Sequence, residues 1–291
     1  YKALQPYFAW LPTGMIRNTF KNSTQYGFMP SSPDGILLKR FNSPNPAVNV
    51  YRLNDDLLTD TVYSDTPAIN GGFTMAQVYF GRKCHIIHTE PMSSTNQFLT
   101  TLQNFVRKWG APLRLLADHA NYQASLRVLD YLRLLWIGLW VSEAHYQHQN
   151  PFKRRNQTFK RIVNRTMERT NTPPHLWYLC MCYVAYIINR ASDPSLNQRQ
   201  PIFLATGRIG DISAITTFQW MEPVYYKLDD SSFPSGSGED FGFWVGFAEH
   251  VGHAMTYRIW NQQTGKILDR SAVRSARDHN PNMKASMNWT P

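Results

Sequence analysis

Two aspartates have settings that suggest chemistry. Asp60 falls inside Leu57-Leu58-Thr59-Asp60-Thr61-Val62-Tyr63, which reads as a strand although aspartate disfavours strands. Asp118 follows directly on residues 113–117, a short apolar strand. Carboxylates on neighbouring strand ends can share a divalent metal. Mg²⁺ takes hard oxygen ligands, usually one or two carboxylates plus phosphate oxygens, which is what phosphodiester chemistry needs. The plainer alternative is that both are turn residues at strand ends. Asp65, five residues further on, competes with Asp60 for the same role. Strand alternation puts the two on opposite faces, so at most one serves, and Asp60 is favoured.

A second concentration of chemistry lies in residues 153–169. Seven basic residues, Lys153, Arg154, Arg155, Lys160, Arg161, Arg165 and Arg169, face a single acid, Glu168. Asn150-Pro151 opens this segment as a helix, with Asn as N-cap and Pro at the first helical position, and Phe152, Phe159, Val163 and Met167 mark its buried stripe. The charge run is either a solvated face or a phosphate-binding one. Lys153, Gln157, Lys160 and Asn164 recur at spacings of three and four, so nucleic acid entering a nearby carboxylate pocket would lie along them. His145, His148 and Gln149, on the preceding loop, are placed to contact a nucleic-acid end.

These residues need a scaffold of sheet and helices. Residues 76–80 and 84–88 read as a hairpin across Gly81-Arg82-Lys83. Residues 93–109 place Phe98, Leu102, Phe105, Val106 and Trp109 on one helical face, which Gly110-Ala111-Pro112 ends. The strand before Asp118 is followed by a helix near 123–135 and a strand at 136–141, an alternation that makes an α/β layer. After a second, apolar helix near 175–190, short strands around Val224, Trp244, Met255 and Ile267 suggest a small β-barrel-like module. Residues 1–56, rich in Pro, Asn and Ser, read as an extended arm with one short helical pattern near 13–24.

Composition narrows the partner. Thirty Lys and Arg against twenty Asp and Glu leave a net charge of +10, which favours a polyanion, and nucleic acid first, over a small-molecule substrate. Three cysteines give neither a disulfide framework nor zinc spacing, in keeping with a reducing, intracellular compartment. The most apolar run, residues 176–188, is 13 residues long, short of the roughly 20 a membrane helix needs, so no membrane partner is expected. The chain opens at Tyr1 without Met or targeting segment, as a piece of a longer precursor would.

The order of these features carries a resemblance. A strand with Asp60, a hairpin, a helix, Gly110-Ala111-Pro112, a strand before Asp118, helix, strand, Glu143 and then His148-Gln149-Asn150-Pro151 resembles the core of retroviral-type integrases, specifically those of copia-type LTR retrotransposons. Upstream, Thr24-Gln25-Tyr26-Gly27 and Ser43-Pro44-Asn45-Pro46-Ala47 are similar too, as are Thr59-Asp60-Thr61 and Ser64-Asp65-Thr66-Pro67 at the first strand. Downstream, Pro223-Val224-Tyr225-Tyr226, Trp244-Val245-Gly246, Gly252-His253-Ala254-Met255, Lys266-Ile267 and Arg270-Ser271 continue it.

The resemblance implies an α/β, ribonuclease-H-like mixed sheet flanked by helices over residues 57–217. An N-terminal arm would occupy 1–56, and a small β-barrel-like domain with a tail 218–291. It implies a polynucleotidyl transferase that binds element ends and target DNA, performs 3′-end processing and strand transfer with Mg²⁺ or Mn²⁺, self-associates and works in the nucleus. Asp60 and Asp118 would be the first two carboxylates and metal ligands. Lys153, Arg154, Gln157, Lys160, Arg161, Asn164, His148 and Gln149 would meet DNA. The family's zinc module has no counterpart in residues 1–83, which contain no His or Cys.

At the third catalytic position the chain departs from the family, because Lys153 stands where the family carries Glu. A charged ammonium has no lone pair and repels divalent cations. Lys at this point also lacks the capping and dipole advantages of Glu in a first helical turn. Glu143 lies before the helix and Glu168 four turns along it, so neither takes the vacated place. Weak or absent catalysis is expected. Either the element has decayed, or the fold is kept as a non-catalytic nucleic-acid-binding or scaffolding protein, with Lys153 salt-bridged to Asp60 and Asp118 in place of metal.

Overall fold

The computed structural model describes residues 1–25, 44–117, 123, 125–141, 151–228 and 238–277, with backbone alone for residue 46 and residues 151–153. Asp118, Glu143, His145, His148 and Gln149 lie outside the described residues, as does the side chain of Lys153.

The first sheet is built from β1 (Arg52–Tyr63), β2 (Met75–Gly81), β3 (Ile87–Met92), β4 (Ala111–Ala117) and β5 (Gly138–Val141). Its order is β3-β2-β1-β4-β5. β1, β2 and β3 form an antiparallel meander, whereas β4 runs parallel to β1 and β5 parallel to β4. That order and sense make the mixed sheet of a ribonuclease-H-like fold. The parallel steps need crossovers, which α2 (Phe98–Trp109) and α3 (Leu126–Leu134) supply.

Strand alternation divides β1 between two cores. Leu53 and Leu57 face a cluster with Phe98, Leu102 and Phe105 of α2 and with Val128 and Leu132 of α3. Leu58 and Val62 face the opposite cluster, with Phe159 and Val163 of α4 (Pro151–Arg169) and Leu179, Tyr183 and Val184 of α5 (Trp177–Arg190). Asp60 lies between Leu58 and Val62 in this alternation, so the pleat assigns it to the α4 side. Gly110 makes the join from α2 to β4 at φ 97°, where an added Cβ would stand 2.6 Å from the Tyr51 carbonyl oxygen, so only glycine fits.

The outer edge of β3 is sealed by α5 side chains. The Asn189 amide accepts from the Ile87 N–H at 2.8 Å and donates to the Ile87 carbonyl at 2.7 Å. The Tyr178 hydroxyl donates to the Thr89 carbonyl at 3.1 Å. An unpaired strand edge invites pairing with another chain, and these side chains occupy it instead.

The N-terminal residues, expected as an arm, pack against the α4–α5 core. Residues 2–8 form a 3-10 helix and Thr13–Asn22 form α1, and Phe8, Leu11 and Ile16 are buried in the α4–α5 core. The Tyr183 hydroxyl donates to the Tyr7 carbonyl at 3.0 Å, and the Ser192 N–H donates to Thr19 Oγ1 at 2.7 Å. The Pro, Asn and Ser of the stretch suggest loops, while its apolar side chains find their partners only in distant helices. β1 also begins at Arg52, five residues before the expected strand, inside the segment assigned to the arm.

Past α5, the short α6 (Pro201–Thr206) leads into a second, antiparallel sheet of β6 (Pro223–Lys227), β7 (Glu239–Phe247), β8 (Tyr257–Asn261), β9 (Lys266–Arg270) and β10 (Val273–Ser275). Its order is β10-β6-β7-β8-β9, and among the described residues its two end strands do not pair. It is the second sheet, in the region where the sequence suggests a small module of short strands. Trp220, Trp244 and Trp260 are buried in the same core as α5, with Tyr183 stacked on Trp220 at 5.1 Å and edge-on to Trp244 at 5.6 Å.

Candidate functional site

Asp60 sits near the C-terminal end of β1, paired across the ladder with Val78 of β2. Its Oδ1 accepts the N–H of the next residue, Thr61, at 2.9 Å, and its Oδ2 accepts Nδ2 of Asn156 at 2.6 Å. Asn156 is 3% exposed and belongs to the stripe of α4, with Phe159, Val163 and Thr166, that packs inward. Its other amide atom, Oδ1, is buried and has no hydrogen-bond partner among the described residues. A buried amide oxygen without a donor is costly, and among the described residues the acceptor beside Asp60 has none.

Asp65, the alternative first carboxylate, lies in a bend two residues past the end of β1 and is exposed. It is off the sheet, so the alternation argument does not reach it, and α4 touches Asp60. The last described β1–β4 pair is Leu58 with Leu116, two residues short of Asp60 on one strand and of Asp118 on the other.

The expected DNA face divides in two. Arg154, Gln157, Arg161, Asn164 and Arg165 are exposed, and Lys160 is half-buried on the flank. Arg155 is turned inward: its guanidinium donates to the carbonyls of Gly81 at 3.3 Å and Arg82 at 3.2 Å and contacts Nε2 of His85. Burial lowers the pKa of Arg155, and the nearby Asp193 and Asp55 carboxylates offset part of that. Sequence spacing groups Arg155 with the solvated charges and gives no sign of Asn156. Both occupy positions that a stripe of apolar residues alone does not reveal.

Other carboxylates of β1 are structural. Asp55 is buried and accepts the N–H groups of Lys83 at 2.8 Å and Cys84 at 2.8 Å, closing the turn after β2. Asp56 takes a bidentate pair from Arg114 of β4, at 2.9 and 2.7 Å. Its pKa is lowered, chiefly by the Arg114 hydrogen bonds, against the opposing effect of burial.

Among the described residues no group of three or more His, Cys, Asp or Glu is arranged to hold a metal ion. Of the expected metal ligands, Asp60 alone is among the described residues. Asp60 gives both oxygens to N–H donors, and α4 carries at position 153 a residue with no lone pair while charged. Nor is any helix long and apolar enough, among the described residues, to cross a membrane.

No protein-family model matches the chain, and no curated protein matches it. Among solved structures it is similar to a chain of the simian T-cell lymphotropic virus intasome in complex with PP2A regulatory subunit B56 gamma. Identity is 13% over 78% of this chain and 83% of that one, with a TM-score of 0.43. It is also similar to the HTLV-2 integrase catalytic core domain in complex with magnesium, in trimeric form. There, identity is 10% over 52% of this chain and 96% of that one, with a TM-score of 0.42. The strand order and pleat, rather than these low identities, define the protein as a ribonuclease-H-like α/β fold with a second antiparallel sheet.

Proposed function

We propose that this chain is an integrase-type core, of the copia-like retrotransposon kind, that binds DNA along α4 and whose strand-transfer chemistry is weak or absent as written. The observation that carries the reading is the double role of α4. One face fastens to Asp60 through Asn156, and the opposite face presents Arg154, Arg161 and Arg165 to solvent. Gln157, Lys160 and Asn164 lie on the flank between these two faces, and a duplex along that flank would run past the strand-end carboxylate, which is the arrangement that end processing requires.

The sequence resemblance supplies Asp118 as the second carboxylate, His148 and Gln149 as contacts to a DNA end, self-association, and a nuclear place of action. Lys153 argues for binding without catalysis. A charged ammonium has donors and no lone pair, so a lysine where the family carries its third carboxylate does not serve as a metal ligand. A non-catalytic nucleic-acid-binding or scaffolding protein is the second reading, and the same atoms favour it.

Lys160→Glu combined with Arg161→Glu tests the DNA face. Fluorescence anisotropy with a duplex oligonucleotide should show lower affinity and a shallower slope of log K against log salt, by roughly 0.9 for each phosphate no longer neutralised. Unchanged affinity and slope would leave α4 as a solvated face.

A further inference from the structure

We propose that the outer edge of β5 receives an extended acidic segment of another protein, which adds to the first sheet as a further strand against Trp136 and Trp140. The inference does not rest on α4 meeting DNA.

Folding does not account for these two tryptophans. Trp136 is 75% exposed and Trp140 51%, whereas Trp220, Trp244 and Trp260 are buried. Trp136 stands directly after Leu135, the C-cap of α3, at φ 55°. Helix ends usually give this left-handed position to glycine or asparagine, because a bulky side chain is strained there. The turn is held from outside: the Arg52 guanidinium donates to the carbonyls of Leu135 at 2.6 Å and Trp136 at 3.1 Å. A side chain that strains the backbone and buries little is the kind of local exception that marks a functional surface.

The strand supplies the rest. β5 ends the order β3-β2-β1-β4-β5, so among the described residues no strand pairs with its outer edge. Such an edge is a template for another strand, and proteins ordinarily blunt it with charge or proline. Trp136-Ile137-Gly138-Leu139-Trp140-Val141 has neither. Between the tryptophans, Gly138 lies beside Arg114 of β4, and an added Cβ would stand 2.9 Å from Arg114 Cγ. The missing side chain gives Arg114 its room. Its side chain stays 57% exposed while two of its N–H groups serve Asp56, and a guanidinium has five. An incoming strand fits best with β-branched or aromatic residues opposite Trp136 and Trp140, and with a carboxylate opposite Gly138 that reaches across to Arg114.

Charge selects the occupant. Arg127 and Arg133 are exposed on the adjoining α3, where Asp130 is the one acid. A second copy would set these arginines and Arg114 against their own kind across a twofold axis. Nucleic acid would match the charge but cannot complete the main-chain hydrogen bonds of a strand edge. An acidic peptide satisfies both.

Fluorescence anisotropy of the full chain with a labelled peptide, Glu-Val-Thr-Glu-Thr-Val-Glu, tests the surface; its palindrome suits either strand sense. Saturable binding with a Kd below about 1 mM is expected. Replacing its three Glu by Lys should weaken binding roughly tenfold. N-methylation of one set of alternate amides should abolish it, and of the other set should not, because only one edge of the peptide faces β5. Trp140→Ala and Trp136→Gly should each weaken it roughly fivefold without lowering the melting temperature, since glycine suits the left-handed turn. No saturable binding, equal affinity for the Lys peptide, or binding unchanged in both variants would overturn the proposal. So would oligo-dT binding that the same variants abolish in the absence of peptide binding, which would make the edge a base-stacking surface. A dimer in sedimentation that Trp140→Ala dissociates would likewise overturn it, in favour of a second copy.

Discussion

Asn156 of α4 donates its amide to Oδ2 of Asp60 at 2.6 Å, tying the basic helix to the central strand at the one carboxylate on that face with a candidate role. The bond uses one of the acceptor positions of that oxygen. It also explains why an asparagine is tolerated in a buried stripe next to Phe159 and Val163: its partner is a carboxylate rather than a hydrocarbon.

Asn156→Ala should therefore lower stability by about 1–3 kcal/mol, since it removes a buried charge-assisted bond. Asn156→Asp should cost more, because it sets two carboxylates against each other. Urea unfolding of both variants, with Asp60→Asn as the second side of a double-mutant cycle, measures the coupling. Additive effects of Asn156→Ala and Asp60→Asn would show that the two residues do not interact.

Asn189→Ala should unseal the β3 edge. It removes two buried hydrogen bonds to Ile87 and leaves the edge N–H and carbonyl without partners, at about 2–4 kcal/mol. Faster exchange of the Ile87 amide and concentration-dependent association should accompany the change. A variant as stable and as monodisperse as wild type would contradict the sealing role.

Phe8→Ala should cost about 3–5 kcal/mol, the usual effect of emptying a fully buried aromatic site. The measurement separates a structural N-terminus from a dispensable arm, whose truncation would cost nothing. This is also where the sequence is hardest to read. The order of strands and helices around Asp60 is legible because apolar alternation and helical spacing each have one period. The apolar side chains of residues 1–22 follow no single helical or strand period, and Phe8, Leu11 and Ile16 become a core only when α5 arrives from far along the chain. Asn156 and Arg155 are illegible for a related reason, since a polar residue's partner depends on tertiary packing and not on its neighbours in sequence.

The acid limb of stability should carry the mark of Asp193. Its folded pKa of about 2 lies below the ordinary 3.8, so the carboxylate contributes stability that is fully present above the ordinary value and fades as pH falls toward 2. Asp193→Asn should flatten the fall in unfolding free energy between about pH 4 and about pH 2. An unaltered acid limb would mean that Asp193 is no better satisfied when folded than when unfolded.

Lys153→Glu is the decisive substitution for the proposed absence of chemistry. It would restore at the start of α4 a hard oxygen ligand, and would also suit the positive end of the helix dipole. Wild type should show little change in melting temperature with Mg²⁺ or Mn²⁺, because an ammonium at this position opposes a divalent cation. The variant should gain thermal stabilisation by either metal and metal-dependent nicking or joining of an oligonucleotide carrying an element end. Stabilisation without nicking would locate the metal site correctly and place a further lesion elsewhere in the machinery. Neither effect would mean that position 153 does not face the Asp60 carboxylate, and the assignment of the third ligand would fall with it. Strong metal stabilisation and cleavage in the wild type would refute the inactive reading outright, because a lysine in the ligand position cannot supply them.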